Sequence, residues 1–193
     1  TICFGDSVNL SILNSIIFSQ AQNQYALNFS QGQYVRIPMN STLSNFSDFT
    51  MEFWYYQTGF SGGDERIVGT EYFSGSKYSV DNQHGDWSSY LNDGTNGSNL
   101  DYWNSTDNTP SIIQNTWHHF AVTYDGIKSR FFLNGVMLKE EIASLSSFGD
   151  PNQDLVINRH TWGGGGSGSS RLAGQLDELR ISNTARYTTN FTP

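Results

Sequence analysis

Pairs of adjacent acidic residues are the first candidates for chemistry in this sequence: Asp64-Glu65, Glu140-Glu141 and Asp177-Glu178. Hydrolysis of a glycosidic bond needs two carboxyl groups that flank the scissile bond. Neighbouring residues on an extended strand point to opposite faces, so no pair converges on one substrate atom if its segment is extended. The same geometry separates His118 from His119. We therefore expect a protein that is not an enzyme, since a glycan-cleaving site would need carboxylates that converge only in three dimensions.

Aromatic residues in polar surroundings suggest sugar binding. Sugar recognition in water uses aromatic faces against the C–H side of the ring and a few amides, carboxylates or histidines for the hydroxyls. Two segments, Gln83–Trp103 and Arg159–Trp162, collect these residue types. The predicted ligand-binding residues are Trp87, Tyr90, Asn92, Tyr102, Trp103, His160 and Trp162.

The tryptophans divide by their local pattern. Trp87 and Trp162 stand in loop-like polar stretches and are expected to be exposed, whereas Trp54 and Trp117 lie in regular strand patterns and are expected in the core. Two alternatives stay open for the exposed pair. Each could be a loop tryptophan folded over a sheet edge, or part of a patch that contacts another subunit.

The elements that must position these residues are strands. Thr116–Leu138 alternates in period 2 and contains two turn signals, Asp125-Gly126 and Asn134-Gly135. Asn-Gly favours the positive φ angles of a tight type I′ turn. This stretch therefore predicts three adjacent antiparallel strands.

Further strand patterns run along the rest of the chain. They are Ser15–Phe18, Tyr25–Pro38 with a turn at Gly32, Phe49–Gln57, Arg66–Tyr72, Lys77–Val80, Ser88–Asn92, Leu100–Trp103, Leu155–Asn158 and Leu172–Ser182. Residues 19–24 form a polar segment, Glu140–Asp150 suits one helical turn, and Gly163–Ser170 suits a flexible loop. About a dozen short strands indicate an all-β fold, a two-sheet antiparallel β-sandwich.

Composition limits the partners. The 193 residues suit one domain spanning 1–193, and 15% aromatic against 15% charged residues is typical of β proteins. A formal net charge of −8 argues against binding nucleic acid. No run of the sequence is long and apolar enough to predict membrane insertion. One cysteine, Cys3, allows no internal disulfide.

Five motifs in order resemble a known family. They are Ala26–Phe29 with Gly32, Phe49–Trp54, Trp117–Asp125, Phe132–Gly135 and Gly174–Ile181. Together they resemble the laminin-G-like jelly rolls of the concanavalin-A-like lectin/glucanase superfamily over about Tyr25–Pro193. The glucanases of that superfamily carry Glu-x-Asp-x-x-Glu along one strand, and this sequence has no such triplet.

The resemblance also implies a calcium ion. Many family members hold a structural Ca²⁺, and carry-over assigns Asp177 as its carboxylate ligand, with oxygens from the turn that contains Asn28 and Gly32. The family often has Asp after the phenylalanine where this chain has Ser30. The alternative is that Asp177 caps loop N–H groups while Glu178 pairs with an arginine.

These inferences predict a non-catalytic module that binds a carbohydrate, a glycosylated surface or another surface partner. The ending 185–193 resembles tails of phage and virus structural proteins and of microbial surface proteins, so we expect an extracellular position on a virion, phage particle or cell surface. The alternative is a structural or assembly domain, in contact with other subunits of a particle or fibre, that binds no small ligand.

Overall fold

The computed structural model describes residues 17–21, 24–60, 64–71, 76–83, 86–101, 112–159 and 172–193. Strands dominate this part of the chain. They are β1 (Ile17–Ala21), β2 (Gln24–Phe29), β3 (Val35–Ile37), β4 (Phe49–Phe60), β5 (Asp64–Thr70), β6 (Ser76–Gln83), β7 (Asp86–Asp93), β8 (Gly97–Asp101), β9 (Trp117–Tyr124), β10 (Lys128–Leu133), β11 (Val136–Ile142), β12 (Leu155–Arg159) and β13 (Leu172–Ser182).

The strands form two antiparallel sheets packed face to face, which confirms the predicted all-β sandwich. One sheet has seven strands in the order β1-β2-β13-β4-β9-β10-β11. The other has six strands in the order β3-β12-β5-β6-β7-β8. The predicted meander is also confirmed, since β9, β10 and β11 are neighbours, and Asn134 and Gly135 have φ angles of 51° and 76°.

The core lies between the inner faces of the sheets. Phe49, Met51 and Phe53 alternate along β4 and are fully buried. Phe53 stacks on Phe120 of β9, with ring centroids 5.5 Å apart. The period-2 pattern produces this arrangement because every second side chain of a strand points to the same face. The intervening residues of β4 therefore lie on the outer face of the seven-stranded sheet.

Two local predictions are wrong. Strand β1 spans Ile17–Ala21 and so enters the segment predicted to be a polar connection, because its backbone pairs with β2 whatever its side chains are. The helical turn predicted in Glu140–Asp150 is absent, since β11 continues to Ile142 and Phe148 bridges Phe46. The short 3-10 helix of the described chain lies at Ser41–Leu43 instead. The pattern in residues 1–16 and the loop Gly163–Ser170 lie outside the described residues.

Candidate functional site

Aromatic and acidic residues come together on the outer face of the seven-stranded sheet. Residues directly opposite one another in neighbouring strands share a face. Trp54 of β4 lies opposite His119 of β9 on one side and Asp177 of β13 on the other. In the next row outward, Tyr56 lies opposite Trp117 and Gln175. The antiparallel register therefore assembles these side chains from three strands that are distant in sequence.

A cleft of about 450 Å³ opens on this face. We call it the tryptophan cleft. Its lining residues are Ala26, Trp54, Trp117, Gln175, Asp177, Glu178 and Pro193. Both tryptophans are half-buried, so the prediction that they belong to the core is wrong.

The pattern of β4 contains the signal that places Trp54 correctly. The row with Trp54 also holds Thr50 and Glu52, whereas the alternate row from Phe49 to Tyr55 contains only apolar and aromatic side chains. A strand directs its more apolar row to the core. The same reasoning places Trp117 on the outer face, because Trp117 lies two residues before His119 on β9 and His119 lies opposite Trp54.

A β-bulge brings both acidic side chains of the cleft to one place. The pairing of β13 with β4 shifts register between Asp177 and Arg180, and Glu178 has a positive φ of 51°. The Glu178 amide donates a 2.8 Å hydrogen bond to Asp177 Oδ1. A bulge re-aims side chains in this way. The expectation that adjacent carboxylates point apart is therefore wrong for this pair.

The acidic pair has no cationic partner among the residues that the structure describes. No lysine, arginine or histidine of the described chain lies within 4.0 Å of Asp177 or Glu178 to form an ion pair. Asp177 accepts the N–H of its neighbour Glu178 within the bulge of β13, which is not the predicted cap of a loop, and the expected pairing of Glu178 with an arginine is not seen in that part of the chain. Within the described part of the chain, the negative charges of both carboxylates therefore face the cleft without an ion-pair partner.

The three predicted calcium ligands, Asp177, Asn28 and Gly32, lie at different points along β13, β2 and the turn after β2, and the calcium site stays a prediction. Asn28 lies opposite Gln175, so Asp177 lies two residues along the strands in one direction. The turn that contains Gly32 lies in the other direction. Within the described ranges, no group of three His, Cys, Asp or Glu residues is close enough to hold a metal ion.

Trp87 lies in the core, and the expectation that it is exposed is wrong. Its residue is 7% exposed, and its ring stacks on Phe120 with centroids 4.4 Å apart. Tyr55 also contacts it, edge to face, with ring centroids 5.9 Å apart. The reason is its position on β7, opposite Asn82 in the row that faces the seven-stranded sheet. The residues next to Trp87 in sequence are polar, so the sequence did not indicate that its row faces the core.

Tyr90 and Asn92 lie on the outer face of the six-stranded sheet, away from the tryptophan cleft. The Tyr90 ring lies 5.2 Å from the Lys77 ammonium, and Asn92 Oδ1 accepts a hydrogen bond from Gly94. Close by, the buried guanidinium of Arg66 pairs with Asp81 at 2.9 Å. The other predicted ligand-binding residues lie outside the described residues. They are Tyr102, Trp103, His160 and Trp162.

The C-terminal segment, residues 183–193, lies across the outer face of the seven-stranded sheet beside the cleft. Phe191 packs against Phe132 at 5.4 Å and against His119 at 5.7 Å. Tyr187 stacks on Phe191, with ring planes 5° apart. The segment therefore covers one half of an aromatic stripe whose other half, Trp54 and Trp117, borders the cleft.

Glu52 is the polar anchor beneath this segment. Its carboxylate accepts a 2.7 Å hydrogen bond from Tyr187 Oη and lies 3.1 Å from Arg186 Nε and 3.3 Å from Arg180 Nη1. His119 Nε2 lies 3.6 Å away. Burial acts to raise the pKa of Glu52, but the contacts with His119 and Tyr187 and the charges of the arginines lower the pKa by more.

The model of the concanavalin A-like lectin/glucanases superfamily, in its laminin-G form, matches residues 29–189, and the chain belongs to this family. The resemblance inferred from the motifs is confirmed.

Solved structures share the fold. The binding domain of Paraclostridial Mosquitocidal Protein 1 matches with a TM-score of 0.71 and 17% identity, over 95% of this chain and 46% of that one. The binding domain of botulinum neurotoxin serotype G matches with 0.69 and 16%, over 95% and 45%. Domain 4 of the extracellular arabinanase AbnA from Geobacillus stearothermophilus, in complex with arabinotriose, matches with 0.64 and 17%, over 89% and 77%.

The chain spans slightly less than half the length of the two toxin domains. No curated protein sequence matches it. In the described residues, no helix has the length and apolar character needed to cross a membrane.

Proposed function

We propose that this chain is a non-catalytic carbohydrate-binding module and that a sugar ring occupies the tryptophan cleft. The observation that carries the proposal is the composition of the cleft. Half-buried Trp54 and Trp117 offer aromatic faces, while Gln175, Asp177 and Glu178 offer acceptors and a donor for hydroxyl groups. Sugar sites in water combine these two kinds of surface.

The similar solved structures support a binding role. They include toxin binding domains and a domain of an extracellular arabinanase in complex with arabinotriose. By analogy, we propose that this module acts outside the cell. It is displayed on a virion, a phage particle or a cell envelope, and it binds a glycosylated surface. Fold alone does not determine function, so the proposal rests on the residues that line the cleft.

The position of the carboxylates supports a non-catalytic role. Asp177 and Glu178 come from one bulge and therefore from one wall of the cleft. Glycosidases place their two carboxyl groups on either side of the scissile bond, about 5–10 Å apart. Two neighbours on one strand fit hydrogen bonding to sugar hydroxyls better than hydrolysis.

The proposal is tested on a glycan array with the wild-type chain, in the presence and absence of Ca²⁺. Calcium is varied because Asp177 and Gln175 both offer hard oxygen donors. Hits are then measured by calorimetry with Trp54→Ala and Trp117→Ala. We expect each variant to weaken binding at least about fivefold, in line with about 1–3 kcal/mol for loss of an aromatic stacking partner, while the melting temperature changes by only a few degrees.

Tyr90→Ala is the matched control, because Tyr90 is an aromatic residue on the outer face of the other sheet. It should bind as the wild type does. If Tyr90→Ala loses binding while both tryptophan variants keep it, the site is on the six-stranded sheet and the cleft assignment is wrong. Silence across the array under both calcium conditions contradicts carbohydrate binding for the glycans tested.

Contact with another subunit is the second candidate function. Ile142 lies on β11, an edge strand of the seven-stranded sheet, and is 79% exposed, while Ile127 beside it is 64% exposed. Exposed apolar side chains at a sheet edge favour pairing with another chain. Sedimentation velocity should then show self-association that Ile142→Lys abolishes, and a monomer at all concentrations contradicts self-assembly.

A further inference from the structure

We infer that Asp177 and Glu178 set the charge specificity of the tryptophan cleft, so that it accepts amino-bearing and neutral glycans and rejects anionic ones. The inference rests on the proposed function and names the class of ligand. Both carboxylates line the cleft, and none of its described lining residues carries a positive charge. The cleft is thus an aromatic site with a net negative wall.

The arginines on the same outer face pair with Glu52 and not with the acidic pair, and since two arginines share one carboxylate they offset one of the two negative charges only at a distance. Arg180 and Arg186 both pair with Glu52, at 3.3 Å and 3.1 Å. No described cation lies within ion-pair distance of Asp177 or Glu178. A ligand in the cleft therefore meets two carboxylates that no cation of the described residues pairs with directly.

Coulomb interaction converts this arrangement into selectivity. A ligand carboxylate or sulfate held about 4 Å from a protein carboxylate is repelled even in water, and the repulsion grows where the cleft excludes solvent. A ligand ammonium is attracted to the carboxylates and also to the faces of Trp54 and Trp117, because an indole ring attracts cations. A neutral sugar is neither repelled nor attracted by the charge of the carboxylates.

The bulge makes the effect larger than one acidic residue would. On a regular strand Glu178 would point to the face opposite Asp177. Its positive φ of 51° instead leaves both side chains on the cleft lining. Two like charges on one wall repel an anion additively.

The test uses an array that carries matched glycans: chitotriose and its fully deacetylated form, lactose and sialyllactose, arabinotriose and trigalacturonate. The wild-type chain is assayed at about pH 6, where sugar amines are protonated. We expect binding to fall in the order amino, neutral, anionic, with at least a tenfold difference between the amino and anionic classes. High salt should compress the series, because salt screens exposed charges.

The variants are Asp177→Asn, Glu178→Gln and their combination. The double variant should retain neutral hits and gain anionic ones, whereas a merely structural role for the bulge would lose all hits together. Asp48→Asn is the control, since it removes a carboxylate that contacts Ser47 and does not line the cleft. It should leave the order unchanged.

Two results overturn the inference in distinguishable ways. Equal binding of sialyllactose and lactose by the wild type, or an unchanged order in the double variant, shows that the acidic pair does not select charge while glycan binding stands. Absence of any hit on the array overturns the proposed function and this inference with it.

Discussion

Tyr187 Oη donates a 2.7 Å hydrogen bond to Glu52 Oε2 across 135 residues of sequence. The bond ties the C-terminal segment 183–193 to the middle of the seven-stranded sheet. The tie is reinforced nearby, where Thr123 Oγ1 donates to the Tyr187 carbonyl at 2.9 Å and Arg186 Nε lies 3.1 Å from Glu52. The segment is therefore part of the folded unit, and it forms one border of the tryptophan cleft through Pro193.

Tyr187→Phe should destabilise the chain by about 1–2 kcal/mol, because a hydrogen bond to a charged acceptor is lost while the ring stays. Chemical denaturation measures this change. Tyr34→Phe is the control, since the Tyr34 ring contacts Arg159 through its face and that contact does not need the hydroxyl. Equal stability of Tyr187→Phe and the wild type would show that the hydrogen bond contributes nothing.

Acid should weaken the fold through Glu52. The folded-state pKa of Glu52 lies below its ordinary value of 4.5, because contacts and arginine charges outweigh the effect of burial. A lowered pKa contributes stability that is present above the unfolded value and is lost as the pH falls through the folded value. We expect the free energy of unfolding to decline below about pH 5, and Glu52→Gln to be less stable near neutrality with a shallower decline.

Asp125→Asn is the control that distinguishes the contribution of Glu52 to acid sensitivity from that of another carboxylate. The pKa of Asp125 is also lowered, since backbone hydrogen bonds and Arg130 outweigh its desolvation. The Asp125 variant should therefore keep the part of the acid slope that belongs to Glu52. If Glu52→Gln and the wild type show the same slope below pH 5, the assignment to Glu52 is wrong.

Local signals made much of the fold predictable. Asn134-Gly135 located a turn because few residue pairs accept two positive φ angles, and the predicted closing strand Leu172–Ser182 has the observed bounds of β13. The sandwich itself followed from the number and spacing of such strands. These features depend on backbone preferences that neighbouring residues determine.

The cleft was not predictable in the same way. Trp54 has aromatic neighbours in sequence and Trp87 has polar ones, yet Trp54 borders the cleft and Trp87 lies in the core, because each position depends on which row of its strand faces the other sheet. Trp87 is buried by Phe120, which is distant in sequence. The bulge at Glu178 has no sequence signal, because glutamate rarely adopts a positive φ. Only the pairing of β13 with β4 shows it.

Gly135→Ala should release the C-terminal segment. A Cβ at Gly135 would lie 2.0 Å from the Phe191 carbonyl oxygen, a distance that no real contact shows, so the segment or the turn must move. Gly126→Ala is a matched control with a similar φ of +84° and no atom within 4 Å of the added Cβ. Both variants share the strain of a positive φ.

The difference between the two glycine variants isolates the docking of the segment. We expect Gly135→Ala to be the less stable by about 1–3 kcal/mol, as for other overpacking substitutions. Hydrogen exchange should show early loss of protection at the Phe191 amide, which donates to the Gly135 carbonyl at 2.9 Å. Equal stability and equal exchange in the two variants would contradict the docking.

Lys77 should make the fold more stable as the pH rises from about 8 to about 10. Burial, together with the charge of Arg66, lowers the pKa of Lys77 to about 8 from 10.5, and Asp81 opposes this only in part. Between the two values the unfolded chain binds more protons than the folded chain, so the free energy of unfolding increases with pH. The range stops near pH 10 because burial raises the pKa of Tyr78, and its ionisation on unfolding then acts in the opposite direction.

Lys77→Met tests this assignment, because methionine keeps the apolar stem and removes the buried charge. Denaturation at about pH 7, 8.5 and 10 should give a flatter profile and a higher stability at pH 7 for this variant than for the wild type. Lys128→Met is the control, since Lys128 is partly exposed and pairs with Glu140 at 2.6 Å. A rising profile that survives in Lys77→Met would assign the proton to another group.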